Sequence, residues 1–183
     1  MPLHFVALLR GINVGGKNPI AMPALKACFE ELGLAAVSTF IASGNVLFAT
    51  SAKDPARLNA KLERALASAF DYEATVVLRS QAQMAEVLAR APRGFGRDPE
   101  RRRYDVVFLK EPLEPAAALE LVRPREGVDR VHAGPGVLYF SRLIARATQS
   151  RLSRIVGLPE YRQMTIRNWN TTTRLAALLA ARV

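Results

Sequence analysis

The sequence predicts an α+β protein made of two ferredoxin-like lobes, each a βαββαβ unit followed by a helix. Three observations carry that reading. Strand-length apolar runs alternate with helical spacing in the same order over residues 1–91 and 104–183. Between them, residues 92–103 hold Pro92, Gly94, Gly96 and Pro99 among arginines and read as a linker. Short strings also echo across the halves. Gly44-Asn45-Val46-Leu47-Phe48 resembles Gly136-Val137-Leu138-Tyr139-Phe140, and Val76-Val77-Leu78-Arg79-Ser80 resembles Met164-Thr165-Ile166-Arg167-Asn168. The order of elements is stronger support than these identities.

In the N-terminal lobe, the apolar run 3–9 reads as a buried strand, and 11–19 as a glycine- and asparagine-rich loop. Leu25, Cys28, Phe29 and Leu32 share one face of a helix over 22–32, with Pro23 in its first turn and Gly33 as its stop. Runs 37–42 and 46–49 flank Ser43-Gly44-Asn45 as a hairpin. Asp54 and Pro55 open the next helix, whose stripe is Leu58, Leu62, Leu66 and Phe70. A strand follows over 74–78. Ser80 and Gln83 then have the spacing of a capping box, in which each side chain satisfies the other's backbone N–H.

The C-terminal lobe repeats the plan. Strand 104–109 precedes a helix over 115–122, and strands 128–132 and 137–140 flank Gly134-Pro135-Gly136. A helix over 148–156, a strand over 163–167 and a last helix over 171–182 complete it.

Composition narrows the function classes. The 183 residues are 50% hydrophobic and 23% charged, enough to fill a core, so wholesale disorder is excluded. The apolar runs are far short of a membrane span, and the N-terminus lacks a signal-peptide pattern, so no membrane association and a cytoplasmic location are expected. One cysteine and two histidines argue against a disulfide framework and a zinc cluster, and no metal site is expected. Residues 1–89 hold 8 basic and 7 acidic side chains, whereas 90–183 hold 18 and 9. That basic half points to an anionic partner, either a small molecule or nucleic acid. The competing reading is compositional: 21 of the 26 cations are arginine, as a GC-rich coding bias produces.

Three polar segments are candidates for chemistry. The first, Arg10-Gly11-Ile12-Asn13-Val14-Gly15-Gly16-Lys17-Asn18, has the G-x-x-x-x-G-K spacing of a phosphate loop, with Asn18 where Ser or Thr would hold magnesium. Pro19 and Pro23 delay the helix that such a loop needs, so a looser anion cradle competes with a simple tight connection. In the cradle, Arg10 and Lys17 supply charge, and Gly11, Gly15 and Gly16 permit backbone approach. The second is Ser43-Gly44-Asn45, which a turn explains by itself. The third, Arg167-Asn168-Trp169-Asn170-Thr171-Thr172-Thr173, holds the only tryptophan beside amides and a guanidinium. Those groups can stack on and hydrogen-bond a ligand, while Asn170 or Thr171 can equally cap the last helix. Arg93-Gly94-Phe95-Gly96 begins like an RNA-binding RNP1 string but lies outside the expected third strand.

The strings Ala7-Leu8-Leu9-Arg10-Gly11-Ile12-Asn13-Val14-Gly15-Gly16-Lys17-Asn18, Ser43-Gly44-Asn45-Val46, and Thr165 with Arg167-Asn168-Trp169-Asn170-Thr171 resemble the bacterial domain-of-unknown-function family 1697. The resemblance spans almost the whole chain and implies a two-lobed α+β fold with ferredoxin-like halves. It implies no activity. Leu158-Pro159-Glu160-Tyr161-Arg162 departs from the family, whose members have a shorter approach to the Arg-Asn-Trp-Asn segment.

The favoured expectation is an anionic, phosphate-bearing ligand. Arg10, Lys17 and Arg167 bind charge, with Gly11, Gly15 and Gly16 beside them. Asn13, Ser43, Asn45, Asn168 and Asn170 orient the ligand, and Trp169 is a stacking platform. Three alternatives stand beside it. One is a nucleic-acid surface using Arg97, Arg101, Arg102 and Arg103. Another is an enzyme acting on a phosphorylated substrate, although no catalytic group can be assigned. The last is that the motifs serve only the fold. The cofactor and the oligomeric state remain open.

Overall fold

The computed structural model describes residues 2–16 and 18–182. Strands β1 (Leu3–Leu9), β2 (Ala35–Thr39), β3 (Asn45–Thr50) and β4 (Val76–Ser80) form one antiparallel sheet in the order β2-β3-β1-β4. Strands β5 (Arg102–Leu109), β6 (Asp129–Gly134), β7 (Val137–Leu143) and β8 (Met164–Asn168) form a second, in the equivalent order β6-β7-β5-β8. Helices α1 (Met22–Glu31), α2 (Pro55–Phe70) and α3 (Gln81–Ala89) alternate with the first set, and α4 (Pro115–Val122), α5 (Leu152–Ile155) and α6 (Trp169–Ala180) with the second. This is the expected α+β fold of two βαββαβ-like lobes, each followed by a helix.

The chain divides into two compact units, residues 1–84 with 175–183 and residues 85–174. The division falls inside α3 and α6 rather than at residues 92–103, which lie wholly within the second unit. The last turns of α6 belong to the first unit, where Arg182 holds them to β2. Its Nη1 donates to the Ala36 carbonyl at 2.7 Å, and its Nη2 donates to Ser38 Oγ.

The first core follows the sequence periodicity. Phe5, Ala7 and Leu9 on one face of β1 pack with Val46, Phe48, Leu25, Phe29, Leu58, Leu62 and Leu66. The helix stripes therefore fall where a 3.6-residue period places them. Asp54 caps α2 by accepting from Arg57 N at 3.0 Å. The Ser80–Gln83 box forms in both directions, at 2.8 and 3.2 Å, so α3 starts with two otherwise orphaned N–H groups satisfied. The second core gathers Val107, Leu109, Leu138, Phe140, Ala118, Val122, Leu152, Ile155 and Met164.

Three expected elements are corrected. The strand expected over 37–42 ends at Thr39, because residues 40–44 form a turn clasped by Asn45. The helix expected over 148–156 is replaced by a 3-10 turn (Ile144–Gln149), the four-residue α5 and a second 3-10 turn (Pro159–Gln163). Asp129 Oδ2 accepts from Arg125 N and Arg151 N, both at 2.9 Å, and this tether interrupts the helical path with Ser150 extended. The last helix begins at Trp169, because Asn168 Oδ1 accepts from Thr171 N at 2.7 Å; the cap is therefore neither Asn170 nor Thr171.

Candidate functional site

The loop after β1 and the turn before β3 meet at one end of the first sheet. Leu9 N donates to the Gly44 carbonyl at 2.8 Å, and Arg10 N to the Thr75 carbonyl at 3.0 Å. Asn13 is the centre of the loop. Its Nδ2 donates to the carbonyls of Ile20 and Ala42 at 3.0 and 2.9 Å, and its Oδ1 accepts from Ile20 N at 2.7 Å. That employs both donors and the acceptor of the amide in closing the loop. Asn18 Nδ2 donates to the Gly11 carbonyl at 3.0 Å. Asn45 is fully buried, and its Nδ2 donates to the Phe40 carbonyl and Ser43 Oγ at 2.9 and 3.1 Å. Gly44 has φ +80, and a Cβ there would lie 2.8–2.9 Å from Ile12 and Leu9 side-chain atoms. These signature residues hold the loops together. Gly15 and Gly16 are exposed, Arg10 is half-buried, and Lys17 lies outside the described residues. Helix α1 starts only at Met22, so no helix begins at the lysine of the phosphate-loop spacing.

Residues 167–170 sit in the second unit. Arg167 is buried, and its Nη1 donates to Thr165 Oγ1 at 2.8 Å and to the Ile166 carbonyl at 2.9 Å. Burial pushes its guanidinium down to about 10, opposed by Tyr161, so it remains charged at neutral pH. Trp169 is positioned by the segment that resembled a linker. Phe95 meets Tyr104, Tyr139 and Trp169 edge-on, with ring centroids 5.0, 5.5 and 5.1 Å apart. At Gly96 (φ +82) a Cβ would lie 2.3 and 2.4 Å from Trp169 Cδ1 and Nε1, so only glycine admits the indole. Tyr139 completes the cluster by donating its hydroxyl to the Val87 carbonyl at 2.6 Å.

Beside this cluster lies an open cleft of about 340 Å³, lined by Gly96, Arg103, Asp105, Arg142, Asn168, Trp169 and Asn170 among others. Its charged groups come from the strand register. Arg103 of β5 lies opposite Arg142 of β7. Two residues on, Asp105 lies between Phe140 and Asn168. The period of two puts all four polar residues on the core face, at the end the apolar core does not reach. Among the described residues, neither guanidinium has a hydrogen bond or ion pair, and Arg142 Nε is buried without a hydrogen-bond partner. Asp105 makes no hydrogen bond either. Burial raises its carboxyl above the usual range, while Arg142 and Arg103 pull it back. The side-chain amides of Asn168 and Asn170 are exposed at the rim.

The structure therefore brings Asn168, Trp169 and Asn170 together with Arg103, Arg142 and Asp105. It places Arg10, Gly11, Asn13, Gly15, Gly16, Ser43 and Asn45 in the other unit. Arg142 and Asp105 escaped sequence reasoning, because each is an ordinary residue in its own string. Arg102, expected on a nucleic-acid surface, is buried. Its Nε donates to Ser141 Oγ at 3.1 Å, and its Nη2 donates to the carbonyls of Val128 and Ser141 at 2.9 and 3.2 Å. Among the described residues no group of His, Cys, Asp and Glu could hold a metal, and no helix is long and apolar enough to cross a membrane.

The comparisons match this architecture. A solved structure, described as that of conserved bacterial protein SP0830 from Streptococcus pneumoniae, is similar at 27% identity with a TM-score of 0.86. The similarity covers 98% of this chain and 99% of that one. No curated protein matches the chain. The family model described as "Protein of unknown function (DUF1697)" matches residues 3–139, ending before Arg142 and the 167–171 segment. That match spans most of the sequence, and the chain belongs to the DUF1697 family.

Proposed function

We propose that the protein binds a small anion in the cleft of its second unit. Arg103 and Arg142 supply charge, Asn168 and Asn170 supply amide hydrogen bonds, and the Trp169 ring forms a wall. The observation that carries this reading is the pair of arginines set opposite each other by strand register, neither of which, among the described residues, forms an ion pair even with the nearby Asp105. Two guanidiniums held side by side repel each other, and an anion between them relieves that repulsion while accepting from both. Phosphate-bearing ligands fit this chemistry.

The test is a calorimetric titration of the full chain with inorganic phosphate, then with ATP. Binding is expected, with a loss of about tenfold or more on Arg142→Ala and on Arg103→Ala. Arg10→Ala, which alters the glycine loop of the first unit, serves as the contrast. Loss of binding there and not at Arg103 or Arg142 would move the site to that loop.

A second reading rests on charge distribution. The second unit carries 17 basic and 10 acidic side chains, a surplus of 7, with Arg93, Arg97, Arg101 and Arg103 exposed. A nucleic-acid surface would show affinity for single-stranded RNA that falls steeply with salt and that ATP does not displace.

A further inference from the structure

We infer that the cleft selects small acids that carry a hydrogen-bond donor, hydroxyl or ammonium, on the carbon beside the acid group. This rests on the anion-binding reading above and names the ligand class. The argument starts from Asp105. A carboxylate in a site built only for anions would oppose its own ligand. Yet Asp105 lies on the same face as Arg103, two residues along β5, and diagonal to Arg142 on β7. Positions so related have Cβ atoms about 6–8 Å apart.

At that spacing both guanidiniums act on Asp105 through space, but among the described residues none of the three is paired with another. A ligand that satisfies all three needs acceptor oxygens for the guanidiniums and a donor for Asp105, a few ångströms apart. A 2-hydroxy or 2-amino acid has this arrangement. The formal charge of the three groups is +1, which balances a single acid group in full and a phosphate dianion in part. Asn168, opposite Asp105 on β8, offers its Nδ2 donor to the acid group, since its Oδ1 is taken by Thr171 N.

The experiment is competition calorimetry with matched ligands on the full chain: lactate and alanine against propionate, with inorganic phosphate as reference. Lactate or alanine is expected to bind about tenfold more tightly than propionate, since a hydrogen bond to a charged group separates them. In Asp105→Asn the preference is expected to fall to about twofold, while propionate and phosphate bind more tightly once the negative charge is gone. Equal binding of lactate, alanine and propionate to the unaltered protein overturns the inference, and needs no variant to fold. If that occurs while Arg103→Ala and Arg142→Ala still abolish phosphate binding, the anion site stands and only the ligand class fails. If no anion binds the unaltered protein, both fail together.

Discussion

Gly94 and Gly96 offer a controlled pair for testing how Trp169 is held. Both have φ +82, so alanine at either site is strained in the left-handed region by about 1–2 kcal/mol. They differ in surroundings. A Cβ on Gly94 meets nothing within 4 Å, whereas one on Gly96 meets the indole at 2.3 and 2.4 Å. The ring cannot swing aside freely, because Phe95 packs against it at 5.1 Å. Overpacking of this kind costs about 1–3 kcal/mol beyond the backbone strain. Gly94→Ala is therefore expected to lower stability by about 1 kcal/mol, and Gly96→Ala by about 3 kcal/mol. In a chain of this size the second figure is about 6–12 °C in Tm. Trp169 is the only tryptophan, so its emission follows the cluster directly and should change in Gly96→Ala but not in Gly94→Ala. Equal melting temperatures for the two variants, with unchanged emission in both, would refute the packing described for this segment.

Two other substitutions follow from single side chains. Asn13→Ala removes three hydrogen bonds and leaves a non-glycine residue at φ 52, so a loss of about 2–3 kcal/mol is expected by urea unfolding, with Asn13→Asp intermediate. A loss under about 0.5 kcal/mol would remove Asn13 from the scaffold. Tyr139→Phe orphans the Val87 carbonyl at a fully buried site, costing about 1–3 kcal/mol. Burial, then Glu86, pushes the Tyr139 hydroxyl up to about 12 from 10.0, with Arg90 opposing. The unfolded chain thus releases that proton first. The tyrosine's contribution is intact below pH 10 and is lost as pH rises toward 12. Tyr72, also pushed up to about 12, behaves alike. Tyr139→Phe should therefore remove about one proton, roughly 1.4 kcal/mol per pH unit, from the alkaline slope. An unchanged slope would show that the hydroxyl ionises in the native state as it does in water.

The fold was legible because its information is local and periodic. The stripe of Leu58, Leu62 and Leu66, the Asp54 cap and the Ser80–Gln83 box each draw on a few neighbouring residues, and each forms where the spacing places it. The helix expected over 148–156 does not form as one piece because a distant carboxylate, Asp129, takes the N–H of Arg151. The candidate site was less legible for a related reason. Asparagine is conspicuous in a sequence whether it binds a ligand or closes a loop, since both tasks use the same amide. Asn13, Asn18 and Asn45 close loops. Arg103 and Arg142 are 39 positions apart, and their pairing becomes visible only once the central strands of a βαββαβ lobe are set side by side.

Arg102 and Arg103 make the same point in adjacent residues. A strand alternates faces with a period of two, so neighbouring arginines must have opposite fates. Both border the cleft, but Arg102 turns to the face where Ser141 and the Val128 carbonyl await it and is 8% exposed, whereas Arg103 turns to the face of Arg142 and is exposed. Burial lowers the Arg102 guanidinium, Arg130 adds to that, and its hydrogen bonds offset the cost of holding the charge there. Arg102→Ala removes three buried hydrogen bonds, to Ser141 Oγ and to the carbonyls of Val128 and Ser141, and is expected to lose about 2–4 kcal/mol of stability in urea unfolding. Arg103→Ala is expected to stay within about 0.5 kcal/mol of the unaltered protein, while anion affinity falls. If Arg103→Ala destabilised as much as Arg102→Ala, its charge would be serving the fold and the cleft would lose half of its anion-binding pair. If Arg102→Ala were neutral, burial of that guanidinium between β5 and β7 would be wrong, and with it the register that sets Arg103 opposite Arg142.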